Sequence, residues 1–410
     1  MSRNRCLAVL FLLAAFAAFP ADEKKDAGFV PMFNGKDLTG WVNVNCAPGT
    51  FFVKDGLVVT TGKPTGFLRT EKQYENFIAD FEWMHVPPAP GAVGNSGFFV
   101  WADPLPAVGT GYTRGIEVQV LVNLEYRDKK TNAITATSHG DLFSIWGATC
   151  VPERPHPLGW ARCLPSENRA KGENEWNHYR VEANDGVIKL EVNGKVVSGV
   201  SKCNPRKGYL ALESEGSECR FRNLKIKELP STNPKPEEIA DEDKGFKSMF
   251  NGIDLAGWKA DEEAKKHWHA NDGLLQYDGK GEPLRIENEF GDSEFILDFR
   301  FPIKGAKSCA VGFFGTKDGE LKLSLSPEGA VLLEIKGNSQ GTDIPKYARK
   351  PIGQWNRLRV SMRNEGYEIQ VNGVQVALGK FAPLPIRGAF ALRPEGEMEF
   401  RNLFVRELKK

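Results

Sequence analysis

The sequence predicts an all-β protein built as two tandem β-sandwiches, and three observations carry the prediction. Apolar and polar residues alternate in short runs divided by turn residues, with almost no helical period after the N-terminal segment. A set of motifs in the first half recurs in the same order in the second. The composition, with 42 Gly, 25 Pro and 10% aromatic residues in 410, suits a turn-rich β protein too long for one ordinary core.

Taken in order, residues 1–21 have the form of a secretory signal. Arg3 and Arg5 precede an apolar run from Leu7 to Phe19 that is too short to span a bilayer, and Ala15-Phe16-Ala17 or Ala21 offers a cleavage site. This predicts a periplasmic or extracellular protein. No later stretch has the length and hydropathy of a membrane-spanning helix, so no membrane insertion is expected. A formal net charge of +1 argues against nucleic acid or an anionic membrane as partner.

The repeat sets the domain boundaries. Phe33-Asn34-Gly35-Lys36-Asp37-Leu38-Thr39-Gly40-Trp41 returns as Phe250-Asn251-Gly252-Ile253-Asp254-Leu255-Ala256-Gly257-Trp258. Phe77 to Phe81 matches Phe295 to Phe299, Gly97-Phe98-Phe99 matches Gly312-Phe313-Phe314, and Trp176-Asn177 matches Trp355-Asn356. Each half closes alike, on Phe221-Arg222-Asn223-Leu224 and Phe400-Arg401-Asn402-Leu403. The first domain is placed at 28–229 and the second at 244–410. The Pro-rich, acidic linker 230–243 is expected to be extended and solvated.

Within each copy the strands are clearest near the end. Trp176–Ala183, Val187–Val192, a return from Lys195, Gly208–Leu212 and Cys219–Leu229 read as strands, and Asn193-Gly194 as a type I′ hairpin turn. Gly115 to Val120 is a further strand, with Ile116, Val118 and Val120 on one face and Glu117 and Gln119 on the other. Alternation alone allows either a functional wall or a solvated outer face.

Of the cysteines, Cys6 belongs to the signal, five lie in the first half, and Cys309 lies alone in the second. Their spacings match no zinc pattern. Cys150 with Cys163 is the best-placed pair for a disulfide, with buried free thiols as the alternative.

One interval separates the copies. Between the Gly-Phe-Phe and Trp-Asn elements the first copy carries an insertion with Trp101, Arg114, Glu117, Gln119, His139, Trp146, Arg154, His156, Trp160 and Arg162. Long insertions in compact domains usually carry function or are disordered, and one this rich in Trp, Arg and His suits a binding site. The first copy is therefore expected to hold the working site and the second to be accessory.

The ordered set of the Phe-Asn-Gly-x-Asp-Leu-x-Gly-Trp opening, Asn95-Ser96-Gly97-Phe98-Phe99, Gly115 to Gln119, Glu175-Trp176-Asn177, Val192-Asn193-Gly194 and Gly208 to Gly216 resembles the 3-keto-disaccharide hydrolase domain family. The resemblance covers both copies, with the middle of the second degraded. It implies two concanavalin A-like jelly-roll sandwiches and a carbohydrate substrate whose sugar carries a ketone at C3. That carbonyl acidifies the C2 proton. A positioned base removes it, the C1 leaving group departs by elimination, and water adds to complete a net hydrolysis.

On this reading Glu117 is the base or main substrate contact, with His139 and Arg114 as further catalytic candidates. Gln119, Trp101, Trp160, His156, Arg154 and Glu213 are expected to bind substrate, and Trp146 is a further ring to stack on sugar. Gln119 beside Glu117 leaves one acid on that face, which argues against the ordinary two-carboxylate glycosidase. A second acid would have to come from Glu213 or Glu215, and Glu215 reads more readily as a solvated turn residue. No cofactor is required; a divalent metal joining Glu117 to His139 fits without being demanded. A non-catalytic carbohydrate-binding protein is the alternative from another class.

Overall fold

A computed structural model describes residues 27–408, apart from 124–125, 128–129, 131, 133, 137–138, 317–318, 336–337, 365 and 381–386. The signal-like segment lies outside the described residues. Two tandem β-sandwiches form, as the sequence predicts. In the first, a nine-stranded antiparallel sheet packs on a seven-stranded one; in the second, sheets of eight and six strands do the same.

The seven-stranded sheet positions the site. Its strands are β1 (Trp41–Val44), β2 (Gly66–Thr70), β3 (Gly94–Ala102), β4 (Gly115–Val122), β5 (Leu142–Ile145), β6 (Arg162–Cys163) and β7 (Tyr209–Ser214). Across the sheet they run β6-β5-β4-β3-β7-β2-β1. The hairpin signal holds: Asn193 and Gly194 have φ of 46° and 86°, and Asn372 and Gly373 have 51° and 79°, the positive pair that a type I′ turn requires.

The core of the first sandwich lies between the sheets. Phe98, Val118 and Val120 from the seven-stranded sheet meet Phe81, Trp83, Tyr179 and Phe221 from the other. Phe81 and Tyr179 pack edge to face at 5.9 Å. The Tyr179 hydroxyl donates to the Gln119 carbonyl at 2.8 Å, pinning β4 from below. Burial of each such side chain stabilises by roughly 1.5–3 kcal/mol.

Strand pairing corrects part of the repeat alignment. Trp83 faces Asn177 and Phe221, and Phe299 faces Asn356 and Phe400, so Trp83 rather than Phe81 is the counterpart of Phe299. Likewise Phe99 faces Ala211 while Gly312 faces Ala391. The two consecutive strands that carry these motifs, one in each sheet, have slipped by two residues relative to their neighbours, a shift that keeps every side chain on its face.

The linker is not loose. Ala240 is buried, its N–H donates to the Lys207 carbonyl at 2.8 Å, and Arg69 pairs with Asp243 at 2.5 Å. Most of the linker is exposed, as expected, and these contacts with the first domain tie down its end.

The second domain seats on the first. Phe67, Phe99 and Ala211, on the outer face of the seven-stranded sheet, share an apolar cluster with Ile296 and Phe404. Polar clamps surround it: Asp272 accepts from Thr65 N at 2.6 Å and from Thr65 Oγ1 at 2.9 Å. Asp298 accepts from Gly109 N at 2.8 Å, and Asn402 donates to the Thr110 carbonyl at 2.9 Å. The loop between β3 and β4 is thus held between the two domains.

Candidate active site

Strand β4 has no solvated face. Its period of two sends Ile116, Val118 and Val120 into the core and Glu117 and Gln119 outward, yet these two are only 5% and 4% exposed. A buried carboxylate is costly unless partnered, so its surroundings decide its chemistry.

The neighbouring strand makes room for it. At Gly97 in β3, an added Cβ would lie 2.9 Å from Glu117 Oε1 and 2.9 Å from Glu213 Oε2 of β7. The two carboxyl oxygens face each other over a glycine, no more than about 6 Å apart, which is closer than the roughly 6.5–9.5 Å of an inverting glycosidase. Glu117 is therefore not the lone acid that Gln119 implied; strand order, which alternation does not reveal, supplies the second.

Glu215 joins the pair and is not a solvated turn residue. It accepts from the Tyr112 hydroxyl at 2.7 Å and from Asn95 Nδ2 at 2.5 Å. Asn95 Oδ1 in turn accepts from Gln119 Nε2 at 2.9 Å. On the other side, Arg162 of β6 donates to Asp141 Oδ2 at 2.5 Å and to Gln119 Oε1 at 3.2 Å, and stacks over the Phe143 ring at 4.4 Å.

Electrostatics separate the acids. Burial, then the charge of Glu215, pushes the Glu117 pKa well above the ordinary carboxylate range, while Arg162 opposes the shift. Glu213 is also pushed well up, by burial and then by the charges of Glu117 and Glu215. Its carboxyl lies beside that of Glu215, and the proton it keeps is shared toward Glu215. Glu213 has no cation among the causes of its shift, so Glu117 is the member better able to carry charge and Glu213 the better proton donor. Burial and the neighbouring carboxylates likewise push the Tyr112 hydroxyl up, which keeps it a donor.

The other expected site residues lie elsewhere or do other work. Arg114 is committed to Asp103 through bonds of 2.7 and 2.9 Å and lines the cleft between the domains. His139 is buried, with Nδ1 2.9 Å from the Leu121 carbonyl and Nε2 on Asn168, and burial lowers its pKa. Arg154 donates to the Leu164 carbonyl at 2.9 Å and to the Val197 carbonyl, which ties down a loop. His156 is buried under Trp160, ring centroids 4.3 Å apart, and Trp160 remains 46% exposed.

Trp101 is a correction. Counting by twos puts it on the face of Gly97 and Phe99, but a bulge where β3 meets β7, with Trp101 at φ 56°, turns it into the core. Its indole N–H donates to the Glu75 carbonyl at 2.7 Å. The cysteine pair is a second correction: all six described cysteines carry free thiols, most of them buried.

Sequence pattern does not mark Tyr112, Asp141 or Arg162 as site residues, and it leaves Asn95 equally readable as part of a cleft or of a tight strand entry. Arg162 was visible as a cation in the insertion, whereas Tyr112 sits in a loop without period and carries no such signal. The second domain carries different residues at the matching positions. Pairing places Lys322 at the position of Glu117, ion-paired to Glu334 at 3.1 Å. Arg393 stands in the place of Glu213 and pairs with Glu320 at 3.1 Å. Both acids have become cations. Among the described residues, no group of three or more His, Cys, Asp or Glu side chains is arranged to hold a metal ion.

A family model described as a 3-keto-alpha-glucoside-1,2-lyase-like domain matches residues 28–227 and again residues 245–406. Among solved structures, a candidate glycosyl hydrolase from Parabacteroides distasonis ATCC 8503 is similar at 24% identity, covering 51% of this chain and 98% of its own, with a TM-score of 0.40. The carbohydrate-binding module CBM66 from Bacillus subtilis is similar at 13% identity over 37% of this chain and 97% of its own, with a TM-score of 0.31. Galectin LEC-6 from Caenorhabditis elegans is similar at 15% identity over 32% of this chain and 96% of its own, with a TM-score of 0.26. No curated protein matches the chain significantly.

Proposed function

The chain belongs, in two copies, to the family of 3-keto-alpha-glucoside-1,2-lyase-like domains, and from that premise we propose that its first domain cleaves 3-keto-glycosides by removing the C2 proton. The observation that carries the reading is the buried pair Glu117 and Glu213, meeting over Gly97 with unequal environments.

In this mechanism the Glu117 carboxylate takes the proton from C2, and its electron pair moves onto the C3 oxygen as an enolate. The positive charge of Arg162 beside Glu117 offsets the negative charge that builds up there. The enolate then re-forms the C3 carbonyl as the C1–C2 double bond forms and the C1–oxygen bond breaks. Glu213 gives its proton to the departing oxygen. Glu213, now ionised, takes a proton from water as the hydroxide adds to C1. The proton on Glu117 exchanges with water once the leaving group has gone, and Glu117 delivers a solvent proton to C2. Both acids end as they began, and the net reaction is hydrolysis.

The spacing of the two carboxyls favours one further reading, a retaining glycosidase with Glu117 and Glu213 as nucleophile and acid. Substrate preference separates the two. With 3-keto-lactose and lactose offered side by side, cleavage of the keto sugar alone supports the elimination route, and equal cleavage of both overturns it. Glu117→Gln is expected to lose 10²-fold or more, on the order of a missing general base, without loss of fold. The same reading includes export, supported by Arg3, Arg5 and the apolar run after them.

A further inference from the structure

A cleft of about 830 Å³ runs between the two domains, and the established family does not account for it. One wall is the loop between β3 and β4 with Trp146; the other is the second domain, through Phe246 and Ile296. We propose that this cleft binds the leaving-group sugar, with Trp146 as the platform on which its ring stacks.

Tyr112 links the cleft to the carboxylates. Trp146 lies parallel to Tyr112, at 11° and 6.3 Å between centroids, and the Tyr112 hydroxyl donates to Glu215. Arg114, in the cleft wall, is three residues before Glu117 on the same stretch of chain, about 10 Å along an extended strand. A sugar whose C2 lies at Glu117 would extend its aglycone toward Trp146.

The chemistry of the lining fits an uncharged ring. Trp146 is 52% exposed, and an indole face left open in a cleft matches the C–H face of a sugar. The cleft arginines are already neutralised: Arg114 by Asp103, Arg357 by Asp298, and Arg359 by Glu294. They line it with polar edges and bring no uncompensated charge of their own; the other charged side chains of the lining are Lys244, Asp241 and Glu242, two acids to one cation. The volume falls within the usual range of roughly 300–1,000 Å³ for ligand sites, which favour domain interfaces. The second domain thereby gains a role: it supplies one wall of the subsite and fixes the loop that supplies the other.

The proposal rests on the cleavage reading for the identity of the leaving group, and the test keeps the two apart. Trp146→Ala is compared with wild type on 3-keto-lactose and on a methyl 3-keto-glycoside, whose leaving group is too small to reach the cleft. The expected result is a KM raised about tenfold on the disaccharide, the worth of one stacked ring, with the methyl glycoside unaffected. Equal changes on both substrates, or none on either, overturn the subsite. Should wild type cleave neither substrate, the cleavage reading fails, and glucose is titrated against tryptophan fluorescence instead. A saturable change that Trp146→Ala abolishes then supports the subsite, and its absence in wild type overturns it.

Discussion

Replacing Gly97 by Ala puts one methyl group into the gap between two carboxyls. The strand itself tolerates the change: Gly97 is not among the residues of positive φ, and pairing places Ala310 at the same position in the second domain. The new Cβ would sit 2.9 Å from both Glu117 Oε1 and Glu213 Oε2, closer than side chains approach, so both carboxyls must move. Overpacking a core costs about 1–3 kcal/mol, and the obstructing atoms here are the ends of flexible side chains. The cost should therefore fall near the low end, about 1 kcal/mol, or a drop in Tm of about 2–4 °C. Displacing a catalytic group by about 1 Å costs on the order of 10²-fold in rate. Gly97→Ala is thus expected to lose far more activity than stability. Steady-state kinetics on 3-keto-lactose with a thermal melt decide it. An unchanged kcat/KM would show that the reacting atoms do not lie over Gly97.

Three further predictions follow from the same geometry. Glu213→Gln alters the pH dependence of stability: the buried carboxyls hold their protons above the usual carboxylate range, so stability is full at low pH and declines as pH rises through their folded pKa values. The variant, with one less group to ionise, should show a shallower decline in Tm toward alkaline pH than wild type; parallel curves would mean that Glu213 is ionised as readily folded as unfolded. Asn402→Ala, in the second domain, removes the donor to the Thr110 and Ala107 carbonyls and should cost about 1–3 kcal/mol. It should also lower kcat/KM of the first domain by loosening the Tyr112 loop, and kinetics identical to wild type would uncouple that loop from the site. Trp101→Ala should cost about 3–5 kcal/mol in urea unfolding, since its indole is wholly buried, while KM at a temperature where the variant is folded stays as it was.

Much of the fold was legible because local physics decides it. Asn-Gly pairs dictate type I′ turns, and Ile116, Val118 and Val120 dictate which face of β4 meets the core. Glu117 is nameable for the same reason, standing on the polar side of an alternating run, and Glu213 because the second copy carries Arg393 in its place. Their meeting was not legible, because it depends on β3 lying between β4 and β7 with a glycine at the crossing. Trp101 misled because one bulged residue reverses a face, and no residue type announces the bulge. The two-residue slip of β3 and the strand before it escaped for a related cause, since a shift of two preserves every apolar match. Arg114 looked free at a strand end because its partner Asp103 lies across a loop.

The central claim is that the first domain works by taking a proton from C2, and isotope transfer tests it directly. With 3-keto-lactose cleaved in D2O, the account predicts one deuterium at C2 of the released keto sugar, above the level in the same sugar incubated without protein. It predicts that Glu117→Gln forms no such product. Rapid cleavage with C2 still carrying its original hydrogen would contradict the account and leave the paired carboxylates to direct displacement at C1.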